Sequence, residues 1–146
     1  MSIEARDALV ASPNTFFQRT SQKVDLASVE ITKTDLIALL GELVAKGHII
    51  EFTAIKSDHH DDSALGEHCH CNGYCADLWP LASRAQGDYL DAEDPRFQAF
   101  LRDVSASRWL YQVGLAGSAW ISQNAVAAGD TVFHDDGEDH IHLGAT

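Results

Sequence analysis

The sequence predicts an α+β domain with a small antiparallel sheet and flanking helices, and three observations carry that expectation. A helical apolar stripe runs through Leu36, Ile37, Leu39, Leu40, Leu43 and Val44. A second stripe follows Pro95 and consists of Phe97, Phe100, Leu101 and Val104. Short runs rich in β-branched and aromatic residues, at 49–55, 109–115, 130–134 and 140–143, read as strands. Helix, strand, loop, helix and then several strands is an α+β order, because helices and strands do not alternate one for one.

The elements follow from local chemistry. A short helix over 3–10 is stopped by Ser12 and Pro13, and a polar stretch then runs to Lys23, so residues 1–30 are the least defined part of the chain. Thr34 is a candidate N-cap with Asp35 in the first turn, and Gly47 after Lys46 is the expected C-terminal stop of the first strong helix. The strand at 49–55 leads directly into a segment crowded with histidine and cysteine. Beyond Asp77 the sequence reads as loop until Pro95 opens the second strong helix. Gly114 and Gly117 read as turn material, and Trp79, Trp109 and Trp120 as core or pocket wall.

At 146 residues, 45% hydrophobic and 22% charged, the chain is expected to form one domain over 1–146, monomeric, with a core that needs no disulfides. The net charge of -12 argues against nucleic acid and against anionic membrane surfaces, since both are bound largely through Lys and Arg. A basic n-region followed by an apolar h-region is lacking at the N-terminus, which predicts synthesis in the cytoplasm. Cys69, Cys71 and Cys75 are an odd number within seven residues, which fits reduced thiols better than a disulfide framework.

Residues 57–80 hold four of the eight histidines and all three cysteines. Their partner is the segment 135–143, where His140 and His142 stand two apart and would share one face of a strand. His70 and Asp77 are separated by Gly73, which permits a sharp turn. Two ligands from that turn and one from the distant strand make a three-ligand zinc site, the arrangement that leaves a fourth position open for catalysis. Acids flank both segments, at Asp58, Asp61 and Asp62 and at Asp135, Asp136, Glu138 and Asp139, and a cation between them relieves their repulsion. A structural site built on the three cysteines and one histidine is an alternative, although no fourth cysteine exists to complete an all-thiolate knuckle. As small core residues the cysteines need no metal. His48, His59, His60, His68 and His134 have ordinary surface or core roles as their simplest reading.

The pattern His-x-x-Gly-x-x-x-Asp followed by a distant Asp-x-x-His, with a helix and a strand ahead of the first histidine, resembles the LAS group of zinc metallopeptidases. That group includes D-Ala-D-Ala carboxypeptidases, hedgehog-like proteins and phage endolysins. The resemblance implies a Zn2+ site formed by His70, Asp77 and His142, with Asp139 as general base and Asp136 or Glu138 as its alternatives. His140 would orient water or stabilise charge. Lys56 stands where the family commonly ends its strand with Arg, His68 where it often has Ser, and Cys75 where it often has Ala. The implied activity is hydrolysis of stem or cross-bridge peptides of peptidoglycan, by a protein released to the cell wall on lysis. The hedgehog-like branch implies the alternative of a non-catalytic zinc-binding module that binds a partner or ligand.

Overall fold

The computed structural model describes residues 3–18, 35–55, 73–115, 132–135 and 140–146. Along the chain these form α1 (Ile3–Ala11), β1 (Thr15–Phe17), α2 (Leu36–Ala45), β2 (Ile50–Ala54), β3 (Cys75–Pro80), α3 (Pro95–Ala106), β4 (Leu110–Leu115), β5 (Val132–Asp135) and β6 (Ile141–Ala145). The class is α+β, as the sequence predicts. The strands make one sheet in the order β1-β2-β3-β6-β4-β5.

The sheet is mixed and not purely antiparallel. The three inner pairings, β2 with β3, β3 with β6 and β6 with β4, are antiparallel, whereas β1 pairs β2 and β4 pairs β5 in parallel. A parallel pair needs a crossover connection, and α2 lies in the chain between β1 and β2. Strand β1 has only three residues and sits in the stretch that reads as polar from sequence, so no periodicity announces it.

One side of the sheet is apolar and meets the helices. Ile50, Phe52, Ala76, Leu78, Leu110, Val113, Ile141, Leu143 and Ala145 join Leu36, Ile37, Leu39, Leu40 and Leu43 of α2 and Phe97, Phe100, Leu101 and Val104 of α3 in one core. β6 occupies an inner position and is buried at every residue. Its apolar residues at 141, 143 and 145 alternate with His142 and Gly144, which therefore belong to the opposite face.

Bulges in β2 and β4 adjust the phase of this alternation. Phe52 pairs Leu78 while Ala54 pairs Asp77, so Thr53 is an extra residue, and the core positions step from Phe52 to Ile55. On the other flank Leu110 pairs Ala145 while Gln112 pairs Gly144, so Tyr111 is extra and the core positions step from Leu110 to Val113. Without the second bulge Gln112 would share the face of Leu110 and point into the apolar core.

Several boundaries differ from the sequence reading. Asp77 lies on a strand and not in a turn, and Leu78, Trp79 and Pro80 continue that strand where a loop is expected. Pro80 is tolerated as its last residue. Asp35 is the N-cap of α2, but its side chain makes no capping bond and instead accepts from Thr146 Oγ1 at 2.6 Å; Thr34 lies outside the described residues. Gly47 adopts φ 92, the left-handed conformation that ends a helix. Asp94 caps α3 by accepting from the Arg96 backbone N–H at 2.8 Å, with Pro95 in the first turn. Trp79 and Trp109 pack partly buried against the core, and Trp120 lies outside the described residues. Among the described residues no helix is long and apolar enough to cross a membrane.

Candidate metal centre

Asp77 and His142 are directly opposed across the β3–β6 pairing, with Cys75 opposite Gly144 one step further along the same face. The sequence separates Asp77 from His142 by 65 positions, and the sheet register brings His142 Nδ1 to 3.1 Å from Asp77 Oδ1. His140 approaches the other carboxylate oxygen, with Nε2 3.9 Å from Oδ2. Asp77 thus stands between the imidazoles of His142, on β6, and His140, the residue just ahead of that strand. Thr53, the bulged residue of β2, donates its hydroxyl to the Asp77 backbone carbonyl at 3.3 Å.

The far side of His142 is held by β4. Gln112 Nε2 lies 3.3 Å from His142 Nε2 and donates to Cys75 Sγ at 3.2 Å. With the amide N–H directed at Nε2, the matching tautomer has that ring nitrogen accepting and Nδ1 carrying the proton toward Asp77. Gln112 has its place because residue 144 is glycine. A Cβ built there would stand 2.5 Å from Gln112 Nε2 and 2.8 Å from Cδ. All four groups are shielded, with Asp77 2% exposed, His142 3%, Gln112 1% and Cys75 0%.

The donor set fits zinc at the two described ligand positions. Ligands bound at 2.0 to 2.1 Å with a tetrahedral angle stand ~3.3 Å apart, close to the Asp77–His142 separation. One imidazole nitrogen and one carboxylate oxygen are both ordinary zinc donors. Among the described residues no group of three His, Cys, Asp or Glu is arranged to hold a metal. The predicted third ligand, His70, lies outside the described residues, as do Lys56, Asp139, Asp136, Glu138, His59, His60, His68, Cys69 and Cys71.

The structure therefore brings together Asp77, His140 and His142 of the residues singled out from the sequence. His48 belongs elsewhere: its Nε2 lies 2.6 Å from Asp103 Oδ2, and its ring meets Phe100 edge-on. Cys75 is buried as a core cysteine would be, yet it lies outside the main apolar cluster and beside the Gln112 amide. Gln112 and Gly144 were not singled out from the sequence. The available signal was the apolar spacing of Leu110 and Val113, which a regular strand cannot place on one face. No family model, no curated protein and no solved structure matches the chain.

Proposed function

We propose that the chain is a zinc-dependent peptidase that hydrolyses stem or cross-bridge peptides of peptidoglycan, with His70, Asp77 and His142 holding the metal. The observation that carries this reading is the convergence of Asp77 Oδ1 and His142 Nδ1 to 3.1 Å from distant parts of the chain. It supports the part of the ligand set that the LAS-type pattern assigns to these two positions. Zinc, when bound, acidifies water and polarises a carbonyl oxygen. Asp139 takes the proton of the attacking water and passes it to the leaving amine. His140, 3.9 Å from Asp77 Oδ2, orients the water or carries partial positive charge toward the developing oxyanion. Lys56 supplies positive charge to the scissile carbonyl oxygen or to a substrate carboxylate. The protein acts as a monomer, without nucleic acid or membrane, made in the cytoplasm and reaching the wall on lysis.

A second reading, the non-catalytic zinc module, is favoured by one observation. Asp77 and His142 are only 2% and 3% exposed, which suits a closed site better than one open to a peptide. Turbidity of permeabilised bacterial cells, followed with and without a chelator, separates the two. Clearing that stops on chelation and returns with added zinc supports the peptidase. A zinc-loaded chain that leaves the cells turbid and purified cell-wall peptides intact supports the module.

A further inference from the structure

We propose that Gln112 is the positioning residue that matches the protonation of His142 Nε2 in both states, presenting its amide N–H to the bare nitrogen without metal and its carbonyl to the Nε2–H with metal. The proposal rests on the metal reading above. His142 addresses Asp77 through Nδ1 and Gln112 through Nε2. A metal shared by Asp77 and His142 therefore takes the Nδ1 lone pair, and the ring proton must stand on Nε2.

In the metal-free arrangement Gln112 donates to Nε2, Nδ1–H donates to Asp77, and the ring is neutral and bonded at both ends. Once Nδ1 is given over to a metal, the Nε2–H points at the Gln112 amide, and an N–H facing an N–H is a donor against a donor. Turning the amide about its Cγ–Cδ bond resolves the conflict, because Oε1 accepts where Nε2 donated. The same turn suits Cys75. Its Sγ, which accepts from Gln112 Nε2 at 3.2 Å, can donate its S–H to the carbonyl, whose two lone pairs serve both neighbours. The ring keeps its single proton throughout, moved from Nδ1 to Nε2. Two features of the backbone exist around this amide: the β4 bulge that turns Gln112 away from the apolar core, and the absence of a Cβ at Gly144.

The test uses the full chain labelled with 15N in histidine and glutamine, with long-range 1H–15N correlation spectra taken without metal and with one equivalent of zinc. Zinc affinity is measured alongside by competition with a chromophoric chelator. The expected result is Nδ1–H in His142 without metal and Nε2–H with zinc. Gln112→Met keeps the shape but has no donor and only a weak thioether acceptor, and its affinity should fall ~10- to 100-fold, the usual effect of removing a hydrogen-bond partner of a metal ligand. Gln112→Glu retains an acceptor and should stay closer to the wild type. Nδ1–H persisting in the zinc-loaded protein, wild-type affinity in Gln112→Met, or equal losses in the Met and Glu variants would each overturn the proposal. Should Gln112→Met fail to fold, the side-chain amide resonances of Gln112 in the wild type decide: an amide that still donates its N–H to His142 in the zinc-loaded protein overturns the proposal. A wild-type chain that takes up no zinc is a different outcome: it removes the metal reading and the proposal together, whereas a zinc-binding chain indifferent to Gln112 removes only the proposal.

Discussion

At the scale of single residues the sheet face opposite the helices is specified by contacts that tolerate little change. Gly144→Ala should cost ~1–3 kcal/mol, the usual penalty for overpacking, because the added Cβ meets the buried Gln112 side chain. Denaturant unfolding reads this directly, and an unchanged midpoint would show that Gln112 has room to move. Glu51 offers a second case. It is 1% exposed and accepts from the Gly87 backbone N–H at 3.0 Å and from the Tyr89 hydroxyl. That bond to Glu51, followed by burial, raises the Tyr89 hydroxyl above its ordinary pKa. Since the folded state then binds this proton more tightly than the unfolded one, the contribution is complete below pH ~10 and declines as pH rises through the folded value. Tyr89→Phe leaves the buried carboxylate one donor short and should cost ~1–3 kcal/mol. Its unfolding midpoint should also lose its alkaline dependence relative to the wild type. For activity, the proposed base predicts that Asp139→Asn keeps zinc and fold while peptide hydrolysis drops ~10²- to 10⁴-fold. Near-normal hydrolysis in that variant, with Asp136→Asn or Glu138→Gln inactive, would assign the base to a different acid.

At the scale of elements, the two strong helices were legible because their apolar spacing and end signals agree. Pro95 and the residues Phe97, Phe100, Leu101 and Val104 mark α3, and Gly47 marks the end of α2 by its positive φ. Strand identity was legible where residues alternate, as in β6, but not where a bulge interrupts the alternation. The sequence around Tyr111 does not state that two residues of β4 face one step of β6; that follows from tertiary pairing. The three-residue β1 and the continuation of β3 through Pro80 were hidden for a similar reason, since hydrogen bonds to neighbouring strands define them and periodicity does not. The α3 cap makes a prediction at this scale. The bond from the Arg96 side chain, then that from its backbone N–H, holds the Asp94 carboxyl below its ordinary pKa. A lowered folded value means that the stabilisation is present above the unfolded pKa of about 3.9 and is lost as pH falls through the folded value. Asp94→Ala should therefore lower Tm at pH 7, and the gap to the wild type should close as the pH is taken below that of an ordinary carboxylate. A constant gap across that range would mean that the cap acts through something other than its charge.

At the scale of the whole molecule the sheet joins the two halves of the proposed site. Asp77 on β3 and His142 on β6 meet only because those strands pair in this register, and a slip of one residue would place Ile141 or Leu143 opposite Asp77. The sequence pointed to Asp77, His140 and His142 as neighbours, because the period of a strand and the pattern of ligand types are local, and the structure brings these three together. The sequence did not show the separation, which depends on β3 pairing with β6, or the flanking amide, which depends on β4 pairing with β6. If the proposed ligands hold zinc, the metal at 100 times its Kd should stabilise the fold by ~2.7 kcal/mol through mass action. The most direct test of the central claim is elemental analysis of the purified chain for bound zinc. The account predicts one zinc per chain in the wild type and in a protein with Cys69, Cys71 and Cys75 all replaced by Ser, with loss of the metal in folded His142→Ala and Asp77→Ala. No stoichiometric zinc in the wild type, or full retention in His142→Ala, would contradict it.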